Sequence, residues 1–239
     1  MPSAISEETL LTLADTCLLW GHRLSEWCGH GPALEEDIAL TNDALDVIGQ
    51  ARALLQRVAA QRTPPTTEDA LAYLRDDGAF HNLALAAMPN VDYANTMLRS
   101  LMLAAWFVPV WTGLARSADR SLAEIAGNAV KESRVHLRHA REWVVRFGDG
   151  TKESRDRIES AVRSLWPFAA ELLATSVEGV DSADRNAAWK ATLLEVFSEA
   201  TLTMPAMPLS DATPDSQEHR RALLAEMQSL ARQHPGATW

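Results

Sequence analysis

The sequence predicts an all-α protein, a helical bundle with additional helices, and three observations carry that prediction. Apolar residues recur at spacings of three and four almost throughout, no segment alternates as a strand would, and turn-forming residues cut the chain into long pieces. The 239 residues are 47% apolar and 23% charged, ordinary for a globular protein, so 1–239 reads as one domain. Its C-terminal segment, about 203–239, is expected to pack on the bundle or on a partner.

The first helix is expected over 7–28 and the second over 33–60, with Gly29 to Pro32 between them. Cys17 and Cys28 both fall in that first helix. At about 1.5 Å of rise per residue their Cα atoms lie about 16 Å apart. That is too far for a disulfide, so both are expected as buried free thiols in a reducing compartment. RTPPTT at 62–67 closes the second helix, and shorter helices follow over 67–76 and near 79–88. The next, over 93–117, is apolar nearly all round from Leu101 to Trp111, the pattern of a central element, with a kink expected at Pro109. The helix over 119–147 begins at Asp119 as N-cap and is closed by Gly148. Helices over 153–175, 184–201 and 216–232 complete the chain. Eight tryptophans against two tyrosines call for large apolar contacts, in the core or at a subunit interface.

The formal net charge of -10 argues against nucleic acid as a partner, because phosphate contacts need basic surface. A membrane surface is disfavoured on the same ground. The opening MPSAISEETL has no basic stretch followed by an apolar one, and no uncharged run approaches a membrane span, so a cytoplasmic protein is expected.

The segment KESRVHLRHAREW, residues 131–143, carries the chemistry worth weighing. At about 100° per residue, Glu132, His136, His139 and Trp143 share a stripe extended by Ile125 and Ala129, while Arg134, Arg138 and Arg141 form a second stripe opposite. His136 could be a metal ligand in the manner of di-metal sites built inside bundles, or a satisfied core histidine. No Glu precedes it by three; that position is Ser133. The candidate helix for a second ligand set, LDVIGQARALL, has no histidine. Asp43 and Asp46 could face one way on it, but read more simply as a solvated face beside Arg52. The arginine stripe could grip an acidic partner or coenzyme phosphates, or could simply be solvated. Nucleophile arrangements, phosphate-cradling glycine loops and CxxC pairs are absent from the sequence.

Three stretches resemble the C-subunit family of the bacterial phenylacetyl-CoA epoxidase: residues 13–52, residues 131–151, and LLAEMQSL at 223–230 with the terminal Trp239. The resemblance implies a ferritin-like helical bundle related to the di-iron catalytic A subunit of that complex. In such proteins the ligands are a Glu, a Glu-x-x-His, a carboxylate and a second Glu-x-x-His on four successive core helices. Carried onto this sequence, those positions are Glu26, then Val47 and Gln50, then Ala104, then Ser133 and His136. Two of six ligands remain. The expectation is that the metal site is lost, with Glu26 and His136 facing each other as a buried pair in its place.

The resemblance therefore implies a non-catalytic structural subunit with no cofactor of its own. It would bind and stabilise the A subunit, other subunits and the acyl-CoA being met at most indirectly. The complex would draw electrons from NADPH through a reductase subunit with FAD and iron–sulfur. Two alternatives stand beside this reading. One is a working metal oxidase using Glu26, Asp43, Asp46, Glu132, His136 and His139. The other is a generic helical adaptor.

Overall fold

The structure, a computed structural model, describes residues 5–208 and 216–237. Among them every regular element is helical, as the apolar spacing requires. Trp239 and residues 209–215 of the Pro-containing stretch lie outside the described residues. The chain forms two compact units, one from residues 5–89 with 216–237 and the other from 90–208.

The first unit is built on an antiparallel pair, α1 (Glu7–Ser25) and α2 (Leu34–Gln61). Ser6 caps α1 by accepting from the Thr9 N–H at 3.2 Å. Arg62 pairs with Glu7 at one end of the couple, and Cys17 Sγ donates to Gln50 Oε1 at 3.7 Å midway. At the other end a Cβ on Gly21 would come within 2.5 Å of Ile48, so a glycine is what lets the two helices approach there. α1 stops at Ser25, three residues earlier than expected, because the chain tightens into successive turns and reverses at Gly29, which has φ +81. Cys28 therefore sits outside the helix and is exposed, whereas Cys17 is buried.

Short elements close this unit: α3 (Glu68–Tyr73), a 3₁₀ turn at Asp77–Ala79 and α4 (Ala84–Ala87). Asp15, fully buried in α1, pairs with Arg75 and accepts from the His81 N–H at 2.9 Å. Two C-terminal helices, α10 (Gln217–Met227) and α11 (Ser229–Gln233), lie across the 3₁₀ turn. Arg220 reaches Asp77 at 2.6 Å and Arg221 at 3.1 Å, while Gln228 Nε2 donates to the Arg75 carbonyl at 3.0 Å. The single helix expected over 216–232 is thus broken at Gln228, whose side chain turns inward.

The two arginines hold the Asp77 carboxyl below the usual aspartate range. A depressed folded value means that its contribution is present above the unfolded value and is lost as pH falls through the folded one. The side chain is a quarter exposed, so the effect is small, under about 1 kcal/mol. Asp77→Asn is expected to speed hydrogen exchange at the α10 amides about threefold at neutral pH, equivalent to about 0.6 kcal/mol. In the unaltered protein the same loosening is expected only on acidification below about pH 4.

The second unit is built on α5 (Tyr93–Leu114) and α6 (Arg120–Gly148), which are antiparallel: the Tyr93 ring at the start of α5 meets Trp143, 5.0 Å away edge-on, near the end of α6. Asp92 and Asp119 cap them, accepting from Asn95 N at 2.7 Å and Leu122 N at 3.1 Å. α5 is long and apolar enough to cross a membrane by length and composition, but 78% of its most apolar window is buried inside the protein. The helix continues through Pro109.

α7 (Lys152–Leu165), a 3₁₀ turn at Trp166–Phe168, α8 (Ala169–Ala174) and α9 (Ser182–Glu199) pack around this pair. The helix expected over 153–175 is interrupted at Pro167, which cannot donate the backbone bond that would continue it. Gly148 is the last residue of α6 rather than its closing glycine. A Cβ there would lie 2.2 Å from the Ala200 carbonyl oxygen, so a glycine is demanded by the passing chain after α9. Among the described residues, five tryptophans belong to the core: Trp20, Trp106, Trp111, Trp166 and Trp189.

Candidate functional site

The six positions where ligands would stand divide between the units. In the first, Val47 and Gln50 are buried on α2, one turn apart on the face turned inward. Glu26 lies just past the end of α1, with its side chain about a third (34%) exposed, and its carboxylate takes Arg23 Nη1 at 2.6 Å. Arg23 is itself buried and also donates to the Ala87 carbonyl. Glu26 is therefore a partly open group bound to Arg23 in its own unit, where the sequence suggested a buried one.

In the second unit Ala104 is buried on α5, and Ser133 and His136 are buried on α6. The buried stripe of α6 runs Leu122, Ala126, Ala129, Ser133, His136, Ala140, Val144 and Gly148. It is rotated from the expected stripe: Ile125, Glu132, His139 and Trp143 lie half-buried on its flank, and His136 and Ala129 alone are shared. Small side chains allow another helix to approach closely, and this one turns alanine, serine and glycine inward while the bulky residues fill the border.

Asp43 overturns the solvated reading of α2. It is buried, because it shares the inward face with Val47, Gln50 and Leu54 at helical spacing; Asp46 is half-buried beside it. The arginine stripe is split. Arg134 and Arg138 are exposed, whereas Arg141 bridges to α9, 2.8 Å from Glu195 and 2.7 Å from Glu199, and these carboxylates push its guanidinium above its ordinary value.

The donor set does not fit a di-iron pair. Such a centre needs several anionic oxygens to balance two cations in a low-dielectric interior. Val47 and Ala104 offer no donor atom, Gln50 and Ser133 only neutral ones, and the Glu26 carboxylate is taken by Arg23. Among the described residues of neither unit do three His, Cys, Asp or Glu side chains converge as ligands.

Over residues 4–239 the sequence matches the family described as phenylacetic acid catabolic protein. The chain belongs to that family. Within it, the chain is similar to the C subunit of the 1,2-phenylacetyl-CoA epoxidase of Escherichia coli (strain K12), with 42% identity over 241 aligned residues, covering 96% of this chain and 97% of that protein. An all-α architecture with two long antiparallel helix pairs, one in each unit, is what a ferritin-like member of the phenylacetic acid catabolic family calls for.

Two features of these units were missed by sequence reasoning. The Asp15 and Arg75 pair joins residues 60 positions apart, and nothing local marks it. Arg185 is 1% exposed in α9, where it donates to the Thr175 carbonyl at 2.6 Å and the Leu173 carbonyl at 3.1 Å beyond and at the end of α8. Burial pushes it below its ordinary value. An arginine at the start of a helix reads as solvated unless the carbonyls it serves are known.

Proposed function

We propose that this protein is a non-catalytic member of a phenylacetyl-CoA epoxidase complex, acting in the cytoplasm to bind and stabilise a di-iron catalytic subunit. The observation that carries the reading is the pairing of 42% identity, over nearly the full length, to an epoxidase C subunit with apolar or neutral side chains at four of six ligand positions. Buried Val47 and Ala104 replace charge by packing, which keeps the helices of each unit together without a metal to hold them. The chain's part in oxygenation is then to support a neighbour that carries the iron, while flavin and iron–sulfur groups and NADPH belong to a reductase subunit. Exposed Arg134 and Arg138 are available to an acidic partner surface or to coenzyme A phosphates; Arg141 is committed to Glu195 and Glu199 within its own unit.

Iron analysis by plasma emission tests this directly, on the chain purified alone and after co-expression with a catalytic subunit. The expected result is a chain without stoichiometric iron by itself, and a co-purifying pair whose iron follows the catalytic subunit alone. Near-stoichiometric iron in this chain alone would overturn the reading, and failure of the two to co-purify would remove the supporting role.

A further inference from the structure

We infer that the second unit carries a binding cleft for a small carboxylic acid with an apolar body, set between α7 and the chain that follows α9. Glu159, Val162 and Arg163 line the cleft from α7, Leu202, Thr203 and Pro205 line it from the passing chain, and its volume is about 280 Å³. That is just under the roughly 300–1,000 Å³ of pockets for drug-sized molecules, so the ligand is a smaller one.

Two anchors hold the passing chain over the helix. Arg155 donates from Nη2 to the Thr201 carbonyl at 2.6 Å and from Nη1 to the Thr201 hydroxyl at 2.8 Å. Further along, Trp166 Nε1 donates to the Ala206 carbonyl at 2.8 Å. From Arg155 to Trp166 a helix rises about 16 Å, and the chain from Thr201 to Ala206 reaches at most about 18 Å when fully extended. It is thus close to taut, and Pro205 stiffens it further, so it has little freedom to settle onto α7 between its anchors. The cleft is built by that span.

The lining selects the ligand. Val162 and Leu202 are buried, and with Pro205 they give the cleft an apolar side. The Glu159 carboxylate is taken by Arg155 at 3.1 Å. Arg163 is exposed, and among the described residues neither its guanidinium nor the Thr203 hydroxyl has a hydrogen-bond or ion-pair partner. One cation without a counter-charge therefore stands beside a hydroxyl and an apolar wall. The planar fork of arginine accepts both oxygens of a carboxylate, and the wall receives the body attached to it. A cationic ligand would find no free carboxylate there. In a chain of net charge -10 most of the surface repels an anion, so an unpaired arginine in a cleft is where one is held. The inference is independent of the proposed function.

NMR on the full chain, labelled at its Val, Leu and Thr methyl groups and titrated with hexanoate, tests it. The expected result is saturable movement of the Val162, Leu202 and Thr203 signals with a Kd of about 1 mM. Hexanol and hexylamine keep the body and lack the carboxylate, and each is expected to bind at least about tenfold more weakly. Arg163→Gln, at an exposed position, should leave the methyl spectrum of the free protein otherwise intact and erase the preference for hexanoate over hexanol. N-acetyl-alanyl-leucine offers the same carboxylate on a peptide and is expected to bind more weakly than hexanoate. Signals that stay still up to about 20 mM hexanoate overturn the proposal, as does hexanol or hexylamine binding as well as hexanoate, or a preference that survives Arg163→Gln. Tighter binding of the peptide would give the cleft to a chain terminus and overturn it equally.

Discussion

Replacing Trp189 by alanine is expected to lower the unfolding free energy by about 3–5 kcal/mol, read as a fall in the urea midpoint at unchanged slope. Trp189 is fully buried in α9, and its indole Nε1 donates to the Met102 carbonyl of α5 at 2.9 Å. Its ring lies 5.8 Å from Trp166, which itself stands 5.8 Å from Phe197, and Trp106 on α5 donates to the Leu172 carbonyl at 2.7 Å. An alanine leaves a void that these large, mutually braced rings cannot fill by shifting. Trp189→Phe retains most of the apolar contact and loses the hydrogen bond, so a smaller loss of about 1–2 kcal/mol is expected. A loss below about 1 kcal/mol for the alanine variant would show that α9 is not held to α5 in the manner described.

Asp15→Ala is expected to lower the stability of the first unit by about 3–5 kcal/mol, for a different reason. The substitution removes little volume but leaves the Arg75 guanidinium, whose side chain is 9% exposed, without its counter-charge. It also orphans the His81 N–H. Arg75 keeps its bond to the Ala79 carbonyl at 2.8 Å and its place 4.2 Å over the Phe80 ring, neither of which neutralises a buried cation. Burial pushes the Asp15 carboxyl above its ordinary range, outweighing the pull of Arg75 and the His81 N–H. A raised folded value places this group's own contribution below the unfolded value and removes it as pH rises through the folded one. Because desolvation offsets much of the attraction inside a buried ion pair, the pair is a weak source of stability even though breaking it is costly. The joint change Asp15→Leu with Arg75→Leu is accordingly expected to recover much of the loss, and a double-mutant cycle in urea measures the difference.

The long helices are legible in the sequence where caps and apolar spacing agree. Expected spans of 33–60 and 119–147 stand against Leu34–Gln61 and Arg120–Gly148, and Asp92 and Asp119 act as their residue types require. Legibility fails where a distant contact decides the outcome. Asp43 reads as a surface residue until the inward face of α2 is known. The stripe of α6 is misplaced by any reading that weights His136, Trp143 and Glu132, because packing favours small residues such as Ser133 and Ala140. Of the candidate site, the absence of ligands at Val47 and Ala104 is readable at once, since no fold can make those side chains donate. The Arg23 hold on Glu26 is not, although a spacing of three across the end of α1 could have suggested it.

The first unit is discontinuous in the chain, and this orders its assembly. A ribosome delivers residues 5–89 early, but Arg220 and Arg221, which hold Asp77 of the 3₁₀ turn, and Gln228, which holds the Arg75 carbonyl before it, emerge last. Residues 90–208 of the other unit are contiguous. The unit that synthesis begins first is thus the one it completes last, and its α3 and 3₁₀ segment waits uncovered while the other unit can already close.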